Sequence, residues 1–109
     1  MKSRIAFGVD IVFIPRLKPT QAFIDRVLSS EEQKLYHSRK DDLHFLAGRF
    51  AAKEAIFKVL PTSSVSMSDI VIMPNADGKP LVHFPPYQLE VSISHDGDYA
   101  IAIAQWIKE

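Results

Sequence analysis

The sequence predicts an α+β fold, an antiparallel sheet packed on one long central helix with shorter helices beside it. Residues 38–60 place Leu43, Leu46, Ala47, Phe50 and Phe57 on one arc at about 100° per residue, the spacing of a helix face. Residues 4–14 and 89–94 alternate with the two-residue period of a strand. Two Asp-Gly pairs, Asp77-Gly78 and Asp96-Gly97, stand between strand-like runs and favour hairpin turns. Helices therefore gather in the first half of the chain and the sheet mostly in the second.

The first strand, 4–14, puts Ile5, Phe7, Val9, Ile11 and Phe13 on one face. Ala6, Gly8, Asp10, Val12 and Ile14 lie on the other, so Asp10 is a charge inside an almost wholly apolar strand. Gly8 would let a ligand or another backbone come close. Pro15-Arg16-Leu17-Lys18-Pro19 forms a rigid basic turn, and Thr20 caps a short helix through about Leu28. Ser29-Ser30-Glu31-Glu32-Gln33 is a capping-box pattern that opens a second short helix, with Leu35 and Tyr36 as its buried residues. The central helix starts near Ser38, with Asp41 three residues on as its capping partner, and stops before Pro61. A polar loop spans 62–68, and strands follow at 69–73, 81–84, 89–94 and 99–107.

At 109 residues the chain is expected to form one domain, 1–109, small enough that self-association would help it bury apolar surface. Net charge is zero, which gives no pointer to nucleic acid. The charge is uneven along the chain. Residues 1–60 carry eleven Lys/Arg against seven Asp/Glu, and residues 61–109 carry two against six. A partner meeting the first half is expected to be acidic. The chain has no cysteine, which excludes disulfides and thiol catalysis. Gly8, Asp10 and Pro15 interrupt the apolar N-terminal run, so no signal peptide is expected, and no stretch is long enough for a membrane span.

Two carboxylates are out of place in this pattern. Asp10 is one; the other is Glu54, in the middle of the apolar arc of the central helix, with Lys58 on the same face. One reading of Glu54 and Lys58 is an intrahelical ion pair. The other is a metal or phosphate site, because a carboxylate on a helix apolar nearly all round is costly unless paired, protonated or metal-bound. Hard oxygen donors without cysteine or a histidine cluster suit Mg²⁺ better than Zn²⁺. Lys58, Lys53 and Arg49 would supply positive charge for phosphates. These residues alone point to a metal-assisted phosphate reaction, such as that of a small phosphohydrolase. His37, His44 and His83 are expected to be structural or exposed, and Trp106 to serve the core or an interface.

Five motifs carry a resemblance over nearly the whole chain. They are Gly8-Val9-Asp10-Ile11, residues 45–55 (Phe-Leu-Ala-Gly-Arg-Phe-Ala-Ala-Lys-Glu-Ala), Lys58, Asp77-Gly78-Lys79-Pro80, and Val91-Ser92-Ile93-Ser94-His95. In this order and spacing the chain resembles the holo-acyl-carrier-protein synthases, the short bacterial 4′-phosphopantetheinyl transferases. The resemblance implies Mg²⁺-dependent transfer of 4′-phosphopantetheine from coenzyme A to a serine of an acidic apo acyl carrier protein. Adenosine 3′,5′-bisphosphate would be released. It implies Asp10 and Glu54 as Mg²⁺ ligands (Mn²⁺ being the alternative metal), Lys58 beside the pyrophosphate, and Glu54 or a metal-bound water as base. Cofactor contacts are implied for Arg49, Lys53, Gly78, Lys79, Pro80, Ser94 and His95, with Arg49 and His95 near the 3′-phosphate. Arg16 and Arg26 would face the carrier. A cytoplasmic homotrimer with coenzyme A at subunit interfaces completes the expectation. The rival from another class is a module that binds coenzyme A or a carrier without transfer. One departure stands out: the family's glycine-rich loop after the central helix is here Leu60-Pro61-Thr62-Ser63-Ser64-Val65-Ser66, without glycine.

Overall fold

A computed structural model describes residues 4–61 and 64–108; Thr62 and Ser63 of the altered loop lie outside them. Strand β1 (Arg4–Phe13) is followed by a 3-10 turn at Ile14–Arg16 and three helices, α1 (Gln21–Val27), α2 (Ser30–Ser38) and α3 (Asp42–Phe57). Strands β2 (Val71–Pro74), β3 (Pro80–His83), β4 (Leu89–Asp96) and β5 (Tyr99–Lys108) complete the chain. The first strand pairs with the last: a three-stranded antiparallel sheet has the order β1-β5-β4, and β2 and β3 form a separate hairpin. Both Asp-Gly turns are present. Gly78 and Gly97 adopt φ of +86° and +56°, values that side chains disfavour.

Helix α3 lies across the inner sheet face. Ala100, Ala102 and Ala104 of β5 are fully or almost fully buried there, and their small side chains bring the helix close to the strands. Gly8 sits opposite Ala104. A Cβ at Gly8 would collide with the Ala55 carbonyl, so the close neighbour that this glycine admits is the helix backbone and not a ligand. Ala47, Ala51, Ala52, Ala55 and Ile56 of the helix join Val12, Ile70, Ile72 and Leu89 in the main core. A second cluster ties α1 and α2 to α3 through Ile24, Val27, Leu28, Tyr36, Phe45 and Leu46.

The outer sheet face is different. Ile5, Phe7, Val9, Ile11, Tyr99, Ile101 and Ile103 stay exposed, from 42% for Ile101 to 62% for Phe7. Only one side of this sheet is covered by the chain's own helices.

Two elements start later than expected. The central helix begins at Asp42 instead of near Ser38, because Ser38 closes α2, its hydroxyl donating to the Leu35 carbonyl at 2.7 Å. Asp41 stands at the cap position, but its carboxylate accepts two bonds from Arg39 instead of capping amides. The strand expected from residue 69 starts at Val71, since Met67–Asp69 form a 3-10 turn. Thr20 and the Ser29–Glu32 capping box cap their helices as the pattern indicated.

Candidate active site

The inward-facing Asp10 of β1 and Glu54 of α3 meet at one cleft of ≈ 280 Å³, also lined by Ile11, Phe13, Arg16, Leu17 and Phe50. Glu54 reaches a second cleft as well, lined by Arg26, Phe57, Val65, Ser66, Met67 and Ser68. Lys58 does not pair with Glu54. Its ammonium donates to the Val9 carbonyl at 2.6 Å and stands 3.4 Å from Asp10 Oδ1. The intrahelical pair of the first reading is therefore not formed. Among the described residues Glu54 has no hydrogen-bond or ion-pair partner, so its carboxylate is available to whatever enters the cleft. No group of three His, Cys, Asp or Glu that could hold a metal ion occurs among the described residues.

Arg16 and Arg26 flank Glu54 from two different clefts. Each guanidinium lies over a phenylalanine of its own segment, Arg16 over Phe13 at 5.6 Å and Arg26 over Phe23 at 5.8 Å. Both remain exposed, so the aromatic contacts orient their charge without burying it.

A further cleft gathers Arg49, Gly78, Pro80 and His95 with Arg39, Asp41, Phe45, Gly48, Pro74 and Ile93. Gly48 keeps this packing close: a Cβ would lie 3.0 Å from Ile93 Cγ2 and 3.2 Å from His95 Nε2, so those side chains would have to shift. His95 Nε2 lies 3.0 Å from the His44 carbonyl, which makes His44 a backbone partner of the site. Arg49 is buried, its Nε donating to the Ile72 carbonyl at 3.1 Å and its guanidinium 4.4 Å from the Phe45 ring centre. Burial lowers the Arg49 pKa to about 10, with Glu32 opposing the fall and Arg39 adding to it. The guanidinium is thus a cation short of solvation, which favours a bound anion.

Three residues of the expected contact set do not line these clefts. Lys53 is not at a cleft. It is fully buried, its ammonium donating to the Val27 carbonyl at 2.7 Å and to Glu32 Oε1 at 2.5 Å. Burial pulls its pKa down against the pull of Glu32, and its role is to hold α3 to α1 and α2. Ser94 alternates with Ile93 and His95, which face α3, so it points to the outer sheet face, away from the basic cleft. Lys79 stays exposed in the turn, where its backbone amide donates to Asn75 Oδ1; Gly78 and Pro80 on either side make the wall. Two residues escaped the sequence reading. Glu32 was read only as part of a helix cap, yet its carboxylate is fully buried. Arg39 lines the basic cleft and lies 5.1 Å from the same Phe45 ring; its place in a basic segment just before α3 was the only signal.

Carboxylates at one cleft and arginines at another, both built on α3, define a protein suited to a phosphorylated ligand. Comparison with known proteins narrows that class. The model of the 4′-phosphopantetheinyl transferase superfamily matches residues 6–104, and the chain belongs to this family. It is 44% identical over 109 residues to a holo-[acyl-carrier-protein] synthase of Geobacillus sp. strain WCH70, covering 90% of this chain and 92% of the relative. The crystal structure of a holo-(acyl-carrier-protein) synthase from Bacillus anthracis in complex with CoA (3′,5′-ADP) superposes with a TM-score of 0.86 at 32% identity. That match covers 94% of this chain and 96% of the other. The Helicobacter pylori holo-[acyl-carrier-protein] synthase in complex with coenzyme A gives a TM-score of 0.79 at 34% identity, covering 91% and 97%.

Proposed function

We propose that this chain is a holo-[acyl-carrier-protein] synthase. It transfers 4′-phosphopantetheine from coenzyme A to a serine hydroxyl of apo acyl carrier protein and releases adenosine 3′,5′-bisphosphate. The observation that carries the reading is the shared cleft of Asp10 and Glu54 in a chain of this family. Two carboxylates without a third ligand suit Mg²⁺, which usually takes one or two protein carboxylates and leaves its other positions to phosphate and water. Asp10 and Glu54 would hold the ion; when bound, it supplies charge neutralisation at the pyrophosphate oxygens.

The chain's own residues do the rest. Glu54 would take the serine proton as the hydroxyl oxygen attacks the phosphorus that carries pantetheine. The bond from that phosphorus to the bridging oxygen breaks, and negative charge grows on the departing nucleotide phosphate. Lys58, held beside Asp10 by the Val9 carbonyl, would stabilise that charge. Arg49 and His95, with Gly78 and Pro80 as the wall, take the 3′-phosphate end of the nucleotide. Arg16 and Arg26, exposed beside the Glu54 clefts, meet the acidic carrier.

The single domain works as a homotrimer in the cytoplasm. The apolar outer sheet face supports association. The three clefts, at ≈ 280, 180 and 260 Å³, fall below the roughly 300–1,000 Å³ of pockets that enclose a ligand. A neighbouring copy would add a wall around coenzyme A, and Ile11 belongs both to the outer face and to the Asp10 cleft. No helix among the described residues is long and apolar enough to cross a membrane.

Intact mass of apo carrier protein after incubation with coenzyme A and Mg²⁺ tests the proposal. A gain of one phosphopantetheine supports it. Binding of coenzyme A with an unchanged carrier mass would instead identify a non-catalytic binding module, and coenzyme A breakdown without carrier a hydrolase.

A further inference from the structure

Glu32 is a fully buried carboxylate that the capping box does not account for. Capping uses one oxygen: Oε1 accepts from the Ser29 amide at 2.7 Å. The same oxygen accepts from Lys53. Oε2 accepts from the Ile72 amide at 3.1 Å, across 40 residues of sequence, and stands 3.7 Å from Arg49 Nε. Arg49 Nε in turn donates to the carbonyl of the same Ile72. One residue of β2 is therefore clasped from both backbone groups, by Glu32 at its amide and by Arg49 at its carbonyl.

We propose that Glu32 is the positioning residue of the basic cleft, fixing Arg49 and the β2–β3 hairpin relative to each other so that both meet the 3′-phosphate end of coenzyme A. The inference rests on the reading of that cleft given above. Its physical basis is the division of labour within one guanidinium. The Nε edge of Arg49 is engaged by Ile72 and faced by Glu32, which leaves the two Nη groups as donors for an anion. The hairpin that Glu32 anchors at Ile72 carries Pro74, Gly78 and Pro80 to the opposite wall. Two walls registered by one buried carboxylate present the anion with a preformed fork, and such sites lose function when their support loosens by about 1 Å. Lys53 is the buried ion-pair partner of Glu32 in the core.

Steady-state kinetics with coenzyme A and with 3′-dephospho-coenzyme A test this in Glu32→Gln, Glu32→Gln/Lys53→Met and Arg49→Gln. The double variant removes the buried Glu32–Lys53 pair at similar volume, so it keeps the test open if Glu32→Gln alone unfolds. Its expected melting temperature lies between those of Glu32→Gln and the wild type, because the Val27 carbonyl and Arg49 each lose a partner. Its KM for coenzyme A should rise about tenfold, the lower end of what losing a supporting hydrogen-bond partner costs. Its kcat should stay within about twofold, and its KM for the dephospho compound should not move. A stabilising role alone would restore KM together with melting temperature. Wild-type KM in the double variant, equal rises for both substrates, or failure of the double variant to fold would each overturn the inference. Arg49→Gln separates the two levels. If it treats both substrates as the wild type does, the cleft reading falls and the inference with it. If it loses the preference while the double variant keeps it, only the role of Glu32 falls.

Discussion

Replacing Glu54 by Gln keeps the side chain's shape and removes its charge. Were Glu54 half of a buried ion pair, the change would strand its partner at a cost of about 3–5 kcal/mol. In a domain of this size each kcal/mol moves the melting temperature by roughly 4–8 °C, so the loss would exceed 10 °C. The structure argues for a much smaller effect. Lys58 is engaged by Val9 and Asp10, and Glu54 has no partner among the described residues. In chelator the melting temperature of Glu54→Gln should stay within about 4 °C of wild type, the span of an ordinary ±0.5 kcal/mol substitution. It should rise if the carboxylate is repelled by Asp10. Activity should respond in the opposite sense. Losing one of two hard oxygen ligands and the proton acceptor together should lower turnover at least about 10²-fold, equivalent to about 2.7 kcal/mol of barrier. Differential scanning fluorimetry in chelator, set beside initial rates of carrier modification in Mg²⁺, reads both quantities. A melting temperature lowered by more than 10 °C with specific activity intact would refute the assignment.

Lys53→Met alone should cost about 3–5 kcal/mol by leaving Glu32 buried without its ammonium, read as a lower denaturant midpoint; an unchanged midpoint would mean the pair contributes nothing. Phe7→Glu puts a charge in the middle of the outer apolar face, and light scattering should change from about three chains per particle to one; an intact trimer would place the interface elsewhere. Arg16→Ala or Arg26→Ala should weaken use of the carrier, more at low salt than at high salt, with the KM for coenzyme A unchanged. An equal loss toward coenzyme A would reassign these arginines to the nucleotide. Ser66 lines a Glu54 cleft in the loop that lacks glycine, and its side chain does not cap the following turn. Ser66→Ala should raise the KM for coenzyme A several-fold at constant melting temperature if hydroxyls have taken over the loop's phosphate contacts, and leave KM alone if they have not.

Much of this molecule was legible locally. The alternation of β1, the two Asp-Gly turns and the Thr20 and Ser29 caps depend on residues within a few positions of one another, so pattern alone located them. Asp10 and Glu54 were legible because each is a charge set in an apolar period, and burial statistics make such a charge conspicuous. The face of Ser94 was legible too, because the period of two separates it from His95. The start of α3 misled because Ser38 and Asp41 look like a cap pair, while Arg39, only two residues from Asp41, competes for the same carboxylate. What the sequence by itself determined is the set of elements, the fold class and the two carboxylates that stand out from their apolar surroundings. Tertiary structure alone decided which side of the sheet meets α3, that Lys58 belongs to Asp10, and that Lys53 belongs to Glu32. Those pairings join residues 48 and 21 positions apart, and a charge chooses its partner by desolvation and distance after packing, for which spacing along the chain carries no signal.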